Sequence, residues 1–193
     1  MRLIFLITSL ILISDFAFGQ SSKTIRTYGI TKKTETVIIY SGDKEVASYK
    51  EEVEMYNADG EWIEKLTYSS GGELKLRQQR NYEGGEVVDE TAIDLNGSGI
   101  KEAKPPSFKR VMSTYEKGNL ILEKSVSEEG LVIEQKEFRY NKLGDLIEVT
   151  TKNRKGELLQ CEITEYNNKG LKVLERVFDS QGAILKEKVF QYE

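Results

Sequence analysis

A tyrosine and two glycines recur at a fixed spacing along most of the chain. Tyr140, Tyr166 and Tyr192 are 26 residues apart, and in the complete units between them glycines follow the tyrosine at +4 and +16. Self-similarity with a period of roughly 20–50 residues is the signature of a repeat architecture. Looser copies start at three earlier tyrosines, so the pattern predicts five repeats. The framework residues are Tyr56, Gly60, Gly72, Tyr82, Tyr115, Gly118, Gly130, Tyr140, Gly144, Gly156, Tyr166, Gly170, Gly182 and Tyr192.

The runs between the glycines have the length and composition of β-strands. Segments such as GDLIEVTT and GELLQCEITEY are rich in β-branched and aromatic residues and are bounded by turn-forming residues. Glycine supplies the positive φ that tight hairpin turns need. A helix is disfavoured because glycines recur every 12–14 residues in the regular units, and each interior glycine costs a helix about 1 kcal/mol.

These observations predict an all-β fold. We expect antiparallel β-hairpin repeats that meander through a long, curved, largely single-layer sheet, open or partly rolled, with no helix of note. A hydrophobic content of 38% favours a thin sheet over a thick two-layer core. The strand centres carry Glu and Lys, and neither face alternates as sharply as a fully buried face would. Cross-strand Glu–Lys pairs are therefore expected at the strand centres.

The chain divides into three segments. Residues 1–19 have a basic start, an apolar run and small residues before the expected cut, which is the pattern of a secretory signal peptide. Residues 20–55 are predicted to be N-terminal capping strands, because terminal repeats are commonly atypical. Residues 56–193 are the five hairpin repeats of about 26 residues. An enlarged loop at 94–107 holds both prolines, which a central strand would not accept.

Composition excludes several kinds of chemistry. The chain has no histidine, which removes the commonest general base and metal ligand. Cys161 is the one cysteine, so no internal disulfide forms; we expect an inert buried thiol, with a nucleophile or an intermolecular bridge as alternatives. A net charge of −4 argues against a nucleic-acid partner. We expect no catalytic residue, no cofactor, no metal site and no transmembrane segment after signal cleavage.

Two repeated residue types invite a functional interpretation. The tyrosine ladder is either a stacking surface for sugars or a packing rib between adjacent units, and packing is the commoner use of such a residue in repeats. The carboxylates Glu64, Glu123, Glu148 and Glu175 recur four or five residues after the first glycine of their units. A glycosidase needs two carboxylates facing one cleft, whereas glutamates paired with lysines usually form a solvated face.

A partial calcium-loop pattern begins at Asp94. Asp94, Asn96, Ser98 and Gly99 match positions 1, 3, 5 and 6 of such a loop. Position 12, which requires a bidentate acid, falls on Pro105. An expanded hairpin loop is the alternative that fits the prolines.

The Tyr-Asn-x-x-Gly openings at 56, 140 and 166 resemble the tyrosine–aspartate (YD, or Rhs-type) repeats of bacterial secreted and surface proteins. The resemblance covers about Tyr56 to Tyr192. It implies a β-hairpin array that acts as a carrier or carbohydrate-binding surface and is not itself catalytic.

The combined expectation is an exported, non-enzymatic repeat protein that engages a partner protein or a glycan. The secretory signal implies a periplasmic, surface-associated or extracellular location. The alternative is a polysaccharide-acting hydrolase or lyase on the same β-repeat scaffold.

Overall fold

The computed structural model describes residues 22–95, 110–127 and 129–193. The signal-peptide prediction at 1–19 and most of the loop predicted at 94–107 lie outside these residues. The described chain contains one short helix, α1 (Ser22–Thr27), followed by twelve strands. The strands are β1 (Lys32–Ser41), β2 (Lys44–Tyr56), β3 (Trp62–Tyr68), β4 (Leu74–Glu83), β5 (Glu86–Asp94), β6 (Arg110–Glu116), β7 (Asn119–Val126), β8 (Val132–Tyr140), β9 (Leu146–Asn153), β10 (Leu158–Tyr166), β11 (Lys172–Asp179) and β12 (Ile184–Tyr192).

All twelve strands form one antiparallel sheet, which confirms the predicted all-β, curved hairpin meander. The order is β5-β4-β3-β2-β1-β12-β11-β10-β9-β8-β7-β6. The first strand therefore lies between β2 and the last strand, with Lys33 opposite Tyr192 and Ile39 opposite Lys186. Two series of hairpins run outward from this central pair.

The N-terminal segment occupies the middle of the sheet. The sequence analysis expected residues 20–55 to cap one end of the array, but β1 has a hydrogen-bonded neighbour on both sides. The two edges are instead β5 and β6, which are consecutive in the chain. The pairing that causes this joins residues more than 150 positions apart, for example Thr34 and Gln191, and no local pattern encodes it.

The chain between the edges requires curvature. Twelve strands laid flat would span about 53 Å from first to last at a spacing of about 4.8 Å. The link from Leu95 to Arg110 reaches at most about 50–54 Å when fully extended. A relaxed link thus needs the two edges to approach each other, which bends the sheet.

The hairpin turns share one hydrogen-bonded design. At the turn after β2, the amide of Asn57 donates to the carbonyl of Glu61 at 2.9 Å. The side-chain oxygen of Asn57 accepts from the amides of Asp59 and Glu61, both at 3.0 Å. Gly60 has a φ of +79°, in the left-handed region that favours glycine. The same side-chain-to-amide pattern recurs at the turns that begin with Asn141, Asn153, Asn167 and Asp179.

The repeat tyrosines fasten the open end of each hairpin. The hydroxyl of Tyr166 donates to the carbonyl of Leu146, twenty residues earlier, at 2.9 Å. The same bond with the same offset joins Tyr82 to Trp62, Tyr140 to Leu120 and Tyr192 to Lys172. These four tyrosines are half-buried. A packing role therefore accounts for the ladder, as the sequence analysis favoured.

Two framework tyrosines depart from this pattern. Tyr115 is on the edge strand β6 and is 57% exposed. Tyr56 donates instead to the Glu54 carboxylate at 2.5 Å.

Helix α1 covers one end of the central strands, and the sequence did not predict it. Its Ile25 is buried with Ile30 and Leu171, and Tyr56 and Tyr192 pack against this cluster. Gly60 lies directly beneath the helix, because a Cβ there would overlap the Ser22 carbonyl oxygen and lie 2.8 Å from the Arg26 nitrogen. The only apolar cluster of the described chain thus forms where α1 meets the sheet centre.

The two faces of the sheet differ in burial. Residues paired across neighbouring strands share a face, which places Glu35, Val37, Glu54, Thr164 and Phe190 together. All five are buried, although the only other element described besides the strands is the six-residue helix α1. Side chains crowd together on the inside of a bend, so we call this the concave face and its opposite the convex face.

We predict that Tyr166→Phe lowers the free energy of unfolding by about 1 kcal/mol, the usual contribution of one such hydrogen bond. Burial raises the pKa of Tyr166 to about 12, with Asp145 and Glu175 adding to the shift, as expected for a hydroxyl removed from water. Urea unfolding measures the loss. Tyr115→Phe is the control, and we expect a change within about 0.5 kcal/mol there. Equal losses in both variants would contradict the clamp.

Candidate functional site

The centre of the concave face holds a network of charged side chains. Glu54 on β2 accepts from Lys33 on β1 at 2.5 Å and from Lys65 on β3 at 2.8 Å. Glu52 lies 3.7 Å from each of the same two lysines. The side chain of Glu54 is only 10% exposed, so this group of ions is largely removed from water.

A second group adjoins it across β1. Lys188 on β12 contacts Glu35 on β1 at 2.5 Å and Glu51 on β2 at 2.7 Å. Glu51 can reach this position because of a β-bulge: Glu35 pairs with Glu52 but Thr36 pairs with Lys50, which leaves Glu51 as the extra residue. We call these seven residues the central charge network: Lys33, Glu35, Glu51, Glu52, Glu54, Lys65 and Lys188.

Burial and the ion pairs shift the pKa values of these carboxyls in opposite directions. Burial alone would raise the pKa of Glu54, but Lys33 and Lys65 outweigh it and lower the pKa to about 2. Burial raises the pKa of Glu35, and a hydrogen bond with Glu51 raises it further, against Lys188 and Lys33. Burial also acts on Glu51, but the hydrogen bonds to Glu35 and Lys188 prevail and lower its pKa.

The network comes close to neutrality. It contains four carboxyls and three ammonium groups, and Glu35 is the carboxyl that holds a proton most readily because its neighbour Glu51 is the better acceptor. A shared proton between the two removes the excess negative charge. Buried charges persist only when they are paired and hydrogen-bonded in this way.

The concave face continues the same chemistry toward β9 to β11. Glu162, Thr164 and Glu175 are on this face, and Glu175 contacts Lys172 at 3.0 Å. Burial raises the pKa of Glu162, and the nearby Glu175 carboxylate adds to it.

Cations cover several aromatic rings. The Arg80 guanidinium lies 4.0 Å from the centre of the Trp62 ring, and the Lys65 ammonium lies 5.4 Å from it. Lys172 lies 5.4 Å from the Phe190 ring. These are cation–π distances, so one face of each ring is already occupied and is closed to a stacking sugar.

The four recurrent carboxylates of the sequence analysis do not converge on one cleft. Glu64 and Glu148 are on the convex face, where they pair with Arg77 at 2.6 Å and Arg139 at 2.8 Å. Glu123 and Glu175 are on the concave face, on strands separated by β8, β9 and β10. The bulges and the alternation of the strands separate what the sequence spacing suggested as a set.

Cys161 is half-buried on β10, with Thr150 and Phe178 as its cross-strand neighbours. Burial raises the pKa of its thiol, with Glu148 as the next cause. The thiol is therefore protonated near neutral pH and is a poor nucleophile.

Within the described ranges, no three His, Cys, Asp or Glu side chains are grouped to hold a metal ion. The partial calcium pattern from Asp94 onward lies mostly outside those ranges.

The sequence analysis missed the central charge network. It expected cross-strand Glu–Lys pairs but placed no particular pair. The alternation of charged residues in KKTE at 32–35 and EEVE at 51–54 is the local signal. It marks one face of β1 and β2, but Lys188 joins only through the pairing of β1 with β12.

Comparisons with known proteins yield structural likeness alone. No protein-family model matches the chain, and no curated protein matches it in sequence. A DUF1329 family protein from Desulfovibrio piger is 12% identical over 88% of this chain and 87% of its own, with a TM-score of 0.37. A LolA superfamily protein from Nitrosomonas europaea is 7% identical over 91% and 90%, with a TM-score of 0.40.

The Tc holotoxin pore of Photorhabdus luminescens is 10% identical over 74% of this chain and 9% of its own, with a TM-score of 0.32. Because all three TM-scores are below 0.5, the likeness carries no functional assignment. Among the described residues, no helix has the length and apolarity to cross a membrane.

We predict that Glu54→Gln lowers the free energy of unfolding at pH 7 by about 2–4 kcal/mol, because it leaves Lys33 and Lys65 buried without their main partner. The Glu54 carboxylate has a folded pKa of about 2, below its usual 4.5. Its stabilisation is therefore complete above about pH 4.5 and is lost as the pH falls toward 2.

Urea unfolding at pH 7 and near pH 2.5 measures both effects. The difference between wild type and Glu54→Gln should shrink at the lower pH. Glu148→Gln is the control: its partner Arg139 is 68% exposed, and we expect a change below about 1 kcal/mol. A pH-independent difference for Glu54→Gln would refute the assignment.

Proposed function

We propose that the protein is an exported, non-enzymatic binding module whose concave face engages a partner protein. The observation that carries the proposal is the central charge network. It fixes seven charged side chains on a curved face that no second layer of described residues covers. A preorganised charge pattern favours a partner with the complementary pattern, since the side chains lose little entropy on binding.

A protein partner suits this face better than a glycan. Sugar recognition commonly uses open aromatic faces, but Trp62 and Phe190 are covered by cations and the hydroxyls of the repeat tyrosines are bonded to backbone carbonyls. The free ligand-facing chemistry is therefore ionic and hydrogen-bonding rather than stacking. A glycan remains the second ligand class in the test below.

The non-enzymatic part of the proposal rests on the arrangement of carboxyls. Glu35 and Glu51 share a hydrogen bond, whereas the two carboxyls of a glycosidase stand roughly 5–10 Å apart with the sugar between them. Both are also engaged by Lys188. This geometry leaves no space for a scissile bond between the pair.

The adjacent residues Thr150 and Thr151 on β9 provide a matched test. Both are half-buried threonines. Thr151 pairs with Gln160 and Lys136 and is on the concave face, whereas Thr150 pairs with Cys161 and Glu137 and is on the convex face. Thr→Arg at either position adds the same bulk and charge to opposite sides of the sheet.

We predict that Thr151→Arg reduces the capture of the partner from an envelope extract at least about tenfold, as expected from a loss of about 1.4 kcal/mol. Thr150→Arg should capture as much as wild type. Immobilised protein and quantitative mass spectrometry of the retained proteins measure this, with melting temperatures to confirm folding. Equal capture by both variants would exclude the concave face.

A panel of polysaccharides, scored for retention and for product release, tests the other classes. Retention without release would identify a glycan ligand. Release of product by wild type would refute the non-enzymatic proposal in favour of a hydrolase or lyase.

A further inference from the structure

The two edge strands of the sheet are chemically unlike. Among the described residues, β5 and β6 each have a hydrogen-bonded neighbour on one side only. An exposed edge is a template for pairing with another strand unless charge, proline or a bulge protects it. β5 has acidic residues at four of nine positions and no basic one, so two copies of β5 repel each other.

β6 lacks that protection. It has the sequence RVMSTYE, with no lysine and no proline. Its apolar side chains are open to solvent: Val111 is 52% exposed, Met112 is 51% exposed and Tyr115 is 57% exposed. Three exposed apolar residues in a seven-residue edge strand are the features that edge strands of monomeric proteins usually avoid.

The strand is also complementary to itself in the antiparallel direction. If Ser113 lies opposite its own copy, Val111 lies opposite Tyr115 and Met112 opposite Thr114. Arg110 then stands opposite Glu116, so the strand ends place residues of opposite charge in register. β-branched–aromatic and opposite-charge pairs are favourable cross-strand neighbours, each contributing roughly 0.2–1 kcal/mol.

We propose that β6 is a homodimerisation edge, which pairs antiparallel with β6 of a second copy of this chain about a two-fold axis at Ser113. The contact is isologous, so it closes after two copies and does not propagate into a filament. It joins two twelve-stranded sheets into one continuous sheet and leaves both concave faces available. A single strand edge buries a small area, so the dimer is reversible, in the micromolar range.

Position 113 allows a charge-complementation experiment. In the proposed register this residue faces itself, so Ser113→Lys places two ammonium groups opposite each other and Ser113→Asp places two carboxylates opposite each other. Like charges directly opposed destabilise a strand pair. An equal mixture of the two variants restores an attractive pair at the axis.

Sedimentation velocity from about 5 to about 500 µM, which spans the affinities expected of a small interface, is the measurement. We expect wild type to shift toward dimer over this range, each variant alone to stay monomeric, and the mixture to form a heterodimer. Thr91→Lys and Thr91→Asp, on the centre of β5, are the matched controls and should dimerise as wild type does.

Three results would overturn the proposal. A wild type that stays monomeric over the whole range would show that β6 is not a self-association edge, as would occur if it paired with β5 of its own chain. Loss of dimer in the Thr91 variants would identify β5 as the partner of β6 in a head-to-tail contact. Dimers that persist in both Ser113 variants, with melting temperatures near that of wild type, would place the interface elsewhere.

Discussion

The antiparallel pairing of β1 with β12 is the interaction on which the rest of the structure depends. It joins residues from the two ends of the described chain, from Lys33 opposite Tyr192 to Ile39 opposite Lys186. Without it, the two series of hairpins would be separate sheets of five and seven strands connected only through the chain between β5 and β6. With it, every repeat belongs to one sheet and the edges fall at the middle of the sequence.

The central charge network is a consequence of the same pairing. Lys188 is brought to Glu35 and Glu51 by the register of β12 on β1, and the bulge at Glu51 completes the group. Burying ions is costly, and a curved single-layer sheet limits that cost because each ion finds a partner on the next strand. Removal of one member leaves the others unpaired, which makes the network a strong determinant of strand register.

The helix α1 and the tyrosines complete the fold at the end of the strands that is opposite the second glycine of each unit. Ile25 supplies the apolar contact that the thin sheet cannot supply by itself, and it packs against Tyr56 and Tyr192. The tyrosine hydroxyls then hold each hairpin at its open end through bonds of constant sequence offset. The period of the repeat is thus the length of chain that returns a hydroxyl to the same carbonyl position one strand away.

Local features of the fold were predictable from the sequence, and non-local ones were not. Gly60, Gly144 and Gly170 mark turns because only residues that tolerate positive φ fit there, and the strands follow from the runs between them. The position of β1 beside β12 was not predictable, because long-range pairing leaves no periodic signal.

The candidate site was the harder part to predict. Spacing singled out Glu64, Glu123, Glu148 and Glu175, but face and register decide which carboxylates meet, and the bulge at Glu51 changes both locally. Helix α1 was also missed, since six residues are too few to show a helical period.

Amide hydrogen exchange tests the central role of the β1–β12 pair most directly. Exchange rates report the free energy of local opening for each strand. We predict that the amides of β1, β2 and β12 exchange slowest and that those of β5 and β6 exchange fastest, since opening the centre requires separation of the two halves. Exchange at β1 and β12 as fast as at the edges would contradict this account of the fold.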